Sequence, residues 1–322
     1  DALQSRELVR IRTDLQVGED PTTYSYQGAD HTRCWTLFVK LGFKSLLADY
    51  APSAANITTD YRLIDQTGDL DALVALLQTA GQFGLHVVTV DGRPSRQGVV
   101  GLSFSPAPRS GWYVPLAQEG LDLSGSLDSN SVTTALKPIL EDPNIRKVGH
   151  NLKRSILWLA THGIQLQGLE LDTMIASYLL DATRAAPTLE TVALEQIGYQ
   201  ALSTETVRGK GSKAPDFDRL PPDAVIAYAC ERADLPLQSA ATLRATLDQH
   251  GLATVCAELE HPLIPVLAEI EQAGVCLAVE SLAEQSRQID ARLMSLQMEI
   301  HELAGEEFNI NSPRQLSTIL FE

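Results

Sequence analysis

No run of about 18 apolar residues occurs in the sequence, so no membrane-spanning helix is expected. Its four cysteines, Cys34, Cys230, Cys256 and Cys276, are scattered and form no CxxC pair. That spacing argues against a zinc site or a disulfide framework and fits small buried hydrophobes in a reducing cytosol. The first residues, DALQSRELVR, contain no Met and no apolar core. They are therefore not a signal peptide, and the chain is expected to begin partway through a longer protein. Basic charge is also scarce. Only 25 Lys and Arg stand against 41 Asp and Glu, a net charge of −16 over 322 residues. A freestanding nucleic-acid binder needs a basic face to neutralise phosphates, so this chain alone is expected to bind nucleic acid weakly.

What is present is ordinary for a globular protein: 44% apolar and 20% charged residues. The length suggests two or three units. The organising stretch is 85–104, LHVVTVDGRPSRQGVVGLSF. Two apolar, β-branched runs, 86–90 and 99–104, flank a turn of Asp91, Gly92, Arg93, Pro94 and Ser95, which predicts an antiparallel hairpin. The first run lacks polar alternation, so both faces should be covered and the strand should be central. At its end stand Val88 and Val90, where an α/β domain commonly presents its chemistry.

In order, 1–50 holds two short amphipathic stretches, 5–11 and 35–41, the second closed by Gly42. Together they carry too little apolar surface to fold alone. Residues 51–60, APSAANITTD, read as a linker. A strand at 62–64 precedes a helix over 69–77 capped by Gly68 or Asp69. The hairpin follows, with a third strand at 112–115, a polar loop over 117–130 and a helix over 132–140. Next come a strand at 147–150, a helix at 156–160 stopped by Gly163, and a helix over 173–180 with Asp172 as N-cap. A helix at 188–197 ends at Gly198. Residues 203–221, rich in Gly, Lys, Ser and Pro, read as a mobile loop, and Pro222 opens a helix to about Gln249. Beyond Gly251 long helical patterns cover 255–272 and 279–304. Ser312, Pro313 and Gln315 then spell a helix start with a capping box. That helix is cut off at Glu322, so the C-terminus is expected to be a truncation.

Three segments carry a resemblance: GHNLK at 149–153, LDTMIASYLL at 171–180 and YACERAD at 228–234. They resemble the proofreading-exonuclease region of the bacterial DNA polymerase I family, the family A polymerases. EHPLIPVL at 260–267 and GEEFNINSPRQL at 305–316 look like the opening of that family's polymerase domain. SREL at 5–8 with Thr13 and Asp14 resembles the end of its 5′-nuclease domain. The segments are colinear with the family over nearly the whole chain.

The resemblance implies an α/β fold: a ribonuclease H-like 3′-5′ exonuclease domain, a mixed sheet flanked by helices, followed by long thumb helices. It implies a 5′-nuclease tail at 1–50, a linker at 51–60, the exonuclease-like domain at 61–250 and the start of the polymerase domain at 251–322. Active members cut off a 3′-terminal nucleotide with two metal ions. Two divalent cations about 4 Å apart must be neutralised and fixed by carboxylate oxygens. The family's Asp-x-Glu motif falls on Val88 and Val90, its second acid, four residues after Asn151, on Ser155, and its third on Arg232, with the accompanying tyrosine kept as Tyr228. The resemblance thus implies a scaffold without proofreading and no cofactor in this segment. It places Mg²⁺ in the absent polymerase palm. It also implies primer–template DNA as the partner of the complete polymerase, gripped in part by Asn311, Ser312 and Arg314 at the thumb-helix start, where free N–H groups favour phosphate. A monomer in the bacterial cytoplasm and nucleoid is expected.

Two other readings remain open at this level. Asp91, Asp172 and Asp234 would be the acids of a rearranged metal site, although Asp91 sits in a turn, Asp172 caps a helix and Asp234 lies off the face of Arg232. Alternatively, the acidic surface would recruit basic partner proteins. The stretch 208–213, RGKGSK, lacks the spacing and the preceding strand of a phosphate loop and reads as solvated.

Overall fold

Five strands gather around the central one in the computed structural model, which describes all residues except 1, 12, 15–24, 27, 42, 54–56, 91–97, 117–126, 184–186, 212 and 322. The strands are β1 (Asp60–Leu63), β2 (Gln82–Thr89), β3 (Val99–Ser105), β4 (Ser110–Pro115), β5 (Arg146–Gly149) and β6 (Leu169–Asp172). Their order across the sheet is β1-β4-β3-β2-β5-β6. β2 pairs antiparallel with β3 and parallel with β5, so the hairpin is present and its first strand is central, as the unbroken apolar run predicts. The outer pairs β1–β4 and β5–β6 are parallel, which makes the sheet mixed. The predicted turn, Asp91 included, lies outside the described residues, as does Gly42.

The helices are α1 (Ala2–Leu8), α2 (His31–Leu41), α3 (Lys44–Tyr50), α4 (Thr67–Ala80), α5 (Ser129–Leu140), α6 (Leu152–Thr161), α7 (Thr173–Leu180), α8 (Leu189–Ile197), α9 (Thr204–Arg208) and α10 (Pro222–Gln249). Then come α11 (Ala253–Val255), a π-helical turn Cys256–Glu260, α12 (His261–Ala273), α13 (Val279–Ala304) and α14 (Pro313–Phe321). The chain forms two compact units, 1–269 and 270–322. No helix among the described residues is long and apolar enough to cross a membrane.

Several expectations need correction. The cap of α4 is Gln66, not Gly68 or Asp69. Asp69 instead lies in the first turn, where its charge suits the helix dipole. Segment 203–221 is not simply a loop. Ser203 caps α9 by accepting from the Thr206 N–H, and Phe217, itself buried, opens a 3₁₀ turn, so local capping and one aromatic anchor order the chain. The segment read as a linker contributes a backbone bridge between Ser53 and Gln200. At α14, Gln315 does not complete the capping box. Its Oε1 accepts from the Asn309 N–H at 2.7 Å, because the Ser312 N–H already donates to the Asn309 carbonyl.

Each face of the sheet has its own core. On one face Phe83, Leu85 and Val87 of β2 join Leu102 and Phe104 of β3 under α4, α5 and α6, through Leu73, Leu77, Leu136, Leu140 and Leu159. On the other, Val88, Val100 and Tyr113 meet Tyr228, Ala229 and Cys230 of α10. A bulge between Val88 and Thr89 makes that alternation work, because it leaves Val100 as the extra residue of β3. α10 runs very close to the sheet because glycine faces it. A Cβ built on Gly84 would lie 2.0 Å from the Ala233 carbonyl oxygen. Gly84→Ala is therefore expected to destabilise the domain by about 3 kcal/mol, since backbone rather than a flexible side chain must give way. Urea denaturation of the variant checks this.

Candidate functional site

The close seating of α10 brings Tyr228 and Arg232, one helical turn apart, over the end of β2. There the segment 149–155 and the start of α8 enclose, with them, a cavity of about 350 Å³. Val88, Asn151, Ser155, Tyr228 and Arg232 all line it, joined by His86, Thr89, His150, Arg154, Glu190, Thr204 and Phe217. Val90 lies beside it in the apolar cluster of Val88, Phe217 and Tyr228. Five positions scattered over 145 residues of sequence thus share one cleft.

Asn151 enters α6 with φ of 59° and ψ of 54°, a left-handed conformation that asparagine tolerates better than most residues. Asp172 holds it there. Its carboxylate accepts from the Asn151 N–H at 3.0 Å, from the Leu152 N–H at 2.7 Å and from the Met174 N–H at 2.9 Å. One buried carboxylate therefore satisfies the N-termini of both α6 and α7, where the dipoles favour negative charge. The backbone N–H of Asp172 is itself held by His261 Nε2, at 3.3 Å.

Arg232 dominates the cleft. It donates to the Glu190 carboxylate and, at 2.9 Å, to the Leu202 carbonyl. Its guanidinium lies 4.5 Å from the centre of the Tyr228 ring, close enough for cation–π attraction. Tyr228 in turn stacks on Phe217 at 4.8 Å, and its hydroxyl meets Thr204 Oγ1 at 3.2 Å. Burial opposes the charge of Glu190, but the hydrogen bond and charge of Arg232 outweigh it and leave the carboxyl below its ordinary range. A second guanidinium, Arg154, donates to Thr89 Oγ1 at 2.7 Å. Burial, then the charge of Arg232, holds His150 down to about 4, and burial with Arg232 and Arg154 lowers His86.

Fixing a pair of divalent cations takes several free carboxylates. In this cleft Val88 offers no ligand atom, Ser155 offers a neutral hydroxyl, and the one carboxylate among the described lining residues, Glu190, is engaged by Arg232. Among the described residues no group of three or more His, Cys, Asp and Glu side chains could hold a metal ion. Of the alternative acids, the two that are described, Asp172 and Asp234, belong to no such group. Asp172 serves two helix starts. Asp234, also buried, accepts from the Tyr61 hydroxyl at 2.8 Å, the Arg109 N–H at 2.9 Å and the Gln238 amide at 2.8 Å, which fastens β1 and the β3–β4 turn to α10. Asp91 is outside the described residues. Asn311, Ser312 and Arg314 belong to the 270–322 unit, with Ser312 and Arg314 lining a shallow hollow of about 440 Å³ at the start of α14.

Sequence reasoning missed Glu190, Arg154, His86 and His150. A buried arginine at 232 demands a carboxylate partner, but nothing in the sequence says which of 41 acids supplies it.

A mixed six-stranded sheet with helices on both faces and a cleft at the end of its central strand fits a ribonuclease H-like domain. The family model "DNA polymerase I, ribonuclease H-like domain" matches residues 119–231. DNA polymerase I of Pseudomonas aeruginosa is 32% identical over the whole chain, which covers 37% of that protein. For the DNA polymerase I of Geobacillus stearothermophilus the identity is 33%, over all of this chain and 35% of the relative. Among solved structures, the polymerase domain of Pol1 from M. smegmatis, in complex with DNA primer-template and dNTP, superposes with a TM-score of 0.62. It is 22% identical over 81% of this chain and 40% of that one. Escherichia coli RNase D, an exoribonuclease, shares the fold at a TM-score of 0.50 and 18% identity, over 66% of this chain and 51% of its own. The chain belongs to the bacterial DNA polymerase I family, the family A polymerases. It spans a little over a third of the length of its curated relatives.

Proposed function

We propose that this chain supplies a degenerate 3′-5′ exonuclease domain and the first thumb helices to a DNA-directed DNA polymerase that extends primers without proofreading. One observation carries the reading. Val88, Ser155 and Arg232, which stand where the resemblance calls for metal-binding acids, line one cleft together, and the guanidinium of Arg232 engages the carboxylate of Glu190 there. Proofreading hydrolysis needs two cations to activate water and stabilise the leaving oxygen. Arg232 repels a cation and is fastened on three sides by Glu190, Leu202 and Tyr228. The domain is then a scaffold for the polymerase domain. The partner is primer–template DNA, which the exposed Arg314 and the start of α14 would contact through phosphate. Mg²⁺ belongs to the palm of the complete enzyme, which acts as a monomer in the bacterial cytoplasm during replication and repair.

Primer extension by the complete protein on a template with a mismatched 3′ end tests this. The mismatched nucleotide is expected to remain in the product at every time point. Its removal in Mg²⁺, abolished by chelation, would contradict the reading.

A further inference from the structure

The cleft has the opposite sign from the chain that carries it. Against a net charge of −16, the described residues lining it include two guanidiniums, Arg154 and Arg232, and one carboxylate, Glu190. Arg232 uses one terminal nitrogen for Glu190 and Leu202, which leaves the N–H groups of its other two nitrogens. Arg154 spends one of its five N–H groups on Thr89. His86 and His150 line the same space as neutral imidazoles. A cavity of about 350 Å³ with an opening to solvent is roomy for one small polyatomic ion.

We propose that this cleft is a binding site for a tetrahedral oxyanion of the phosphate class, held between Arg154 and Arg232. The planar fork of arginine matches two oxygens of such an ion, and two forks on one ion give a charge-assisted, multidentate site. Glu190 competes for one of them. The site thus has a built-in negative gate that a dianion must share Arg232 with, whereas a singly charged halide lacks the geometry to do so. The inference concerns anion capture and stands independently of whether the complete protein proofreads.

Isothermal titration calorimetry of the chain with inorganic phosphate, against chloride at equal ionic strength, tests it. Saturable one-site binding to phosphate and none to chloride is expected. Arg154→Gln should weaken binding by about tenfold or more, the loss of charge-assisted hydrogen bonds at a half-buried position, and Arg154→Lys should recover only part of it. Glu190→Gln should tighten binding, because Arg232 is released; this second variant changes affinity in the direction that damage to the fold cannot. Heats indistinguishable from chloride, or binding unchanged in Arg154→Gln and weakened in Glu190→Gln, would overturn the proposal. Competition by a deoxynucleoside monophosphate or by a short single strand identifies a nucleotide source for the anion, and its absence identifies free phosphate; the site stands in both cases.

Discussion

Asp172→Ala is expected to lower the melting temperature of this chain by roughly 10 °C, the largest effect of any single truncation considered. The carboxylate takes three backbone N–H groups, from Asn151, Leu152 and Met174, at 2.7 to 3.0 Å, and is 2% exposed. Removing it orphans all three donors in a region water cannot easily reach. Each unsatisfied buried donor costs about 1–3 kcal/mol, so the total is about 4 kcal/mol after local relaxation. In a unit of this size that corresponds to the stated shift in melting temperature. The effect is also non-local, because α6 and α7 both begin at this side chain and Asn151 depends on it to stay left-handed. Asp172→Asn should cost about half as much. Its amide retains one oxygen, but its NH₂ must face at least one of the same N–H groups. Differential scanning calorimetry of the two variants gives the ranking. Equal melting temperatures for the parent and Asp172→Ala would contradict the account of this residue.

The second large effect concerns the pair that occupies the cleft. Glu190→Ala is expected to destabilise by about 3 kcal/mol, because it leaves Arg232, only about 10% exposed, with its charge uncompensated. Arg232→Met should cost less, about 1 kcal/mol. Methionine keeps the apolar contact with Tyr228, and Glu190, whose side chain is 35% exposed, can turn to water. The double variant Glu190→Gln/Arg232→Met should be close to neutral, since removing both charges together leaves neither one uncompensated. Chemical denaturation of all the variants measures the coupling. The pH dependence has a definite sign. Glu190 is held below its ordinary value of 4.5, so its contribution is complete above that value and is lost as pH falls through the lower, folded-state value. The stability gap between the parent and Glu190→Ala should therefore be constant at neutral pH and close only below about pH 4.5.

Much of this architecture is legible in the sequence where local chemistry decides it. The β2–β3 hairpin follows from two apolar β-branched runs, α10 from Pro222, α8 from the Gly198 stop, and α13 from an uninterrupted helical pattern. The bulge at Val88/Thr89 is not legible, since it depends on how β2 and β3 register. Nor is the order hidden in segment 203–221. Its Gly and Lys content suggests mobility, yet Phe217 anchors it beneath Tyr228 and Arg208 pairs with Asp216 at 3.0 Å. The site is half legible for the same reason. Val88, Ser155, Tyr228 and Arg232 can be found by matching motifs in chain order. Glu190 and Arg154 matter only because folding brings α8 and α6 to the same cleft, a long-range fact with no local trace. Asp172 is an instructive middle case. Its role at α7 is readable from the helix start that follows it, but its grip on α6 is not.

In the function proposed above, the cleft of this ribonuclease H-like fold has exchanged cation binding for a fixed guanidinium. Calorimetric titration of the chain with Mn²⁺ and Mg²⁺, paired with a single-strand degradation assay in the same buffers, tests it most directly. No saturable binding of either cation and no shortening of the strand are expected. Two-site binding accompanied by metal-dependent cleavage would contradict it, and would mean that carboxylates other than the expected ones carry the chemistry.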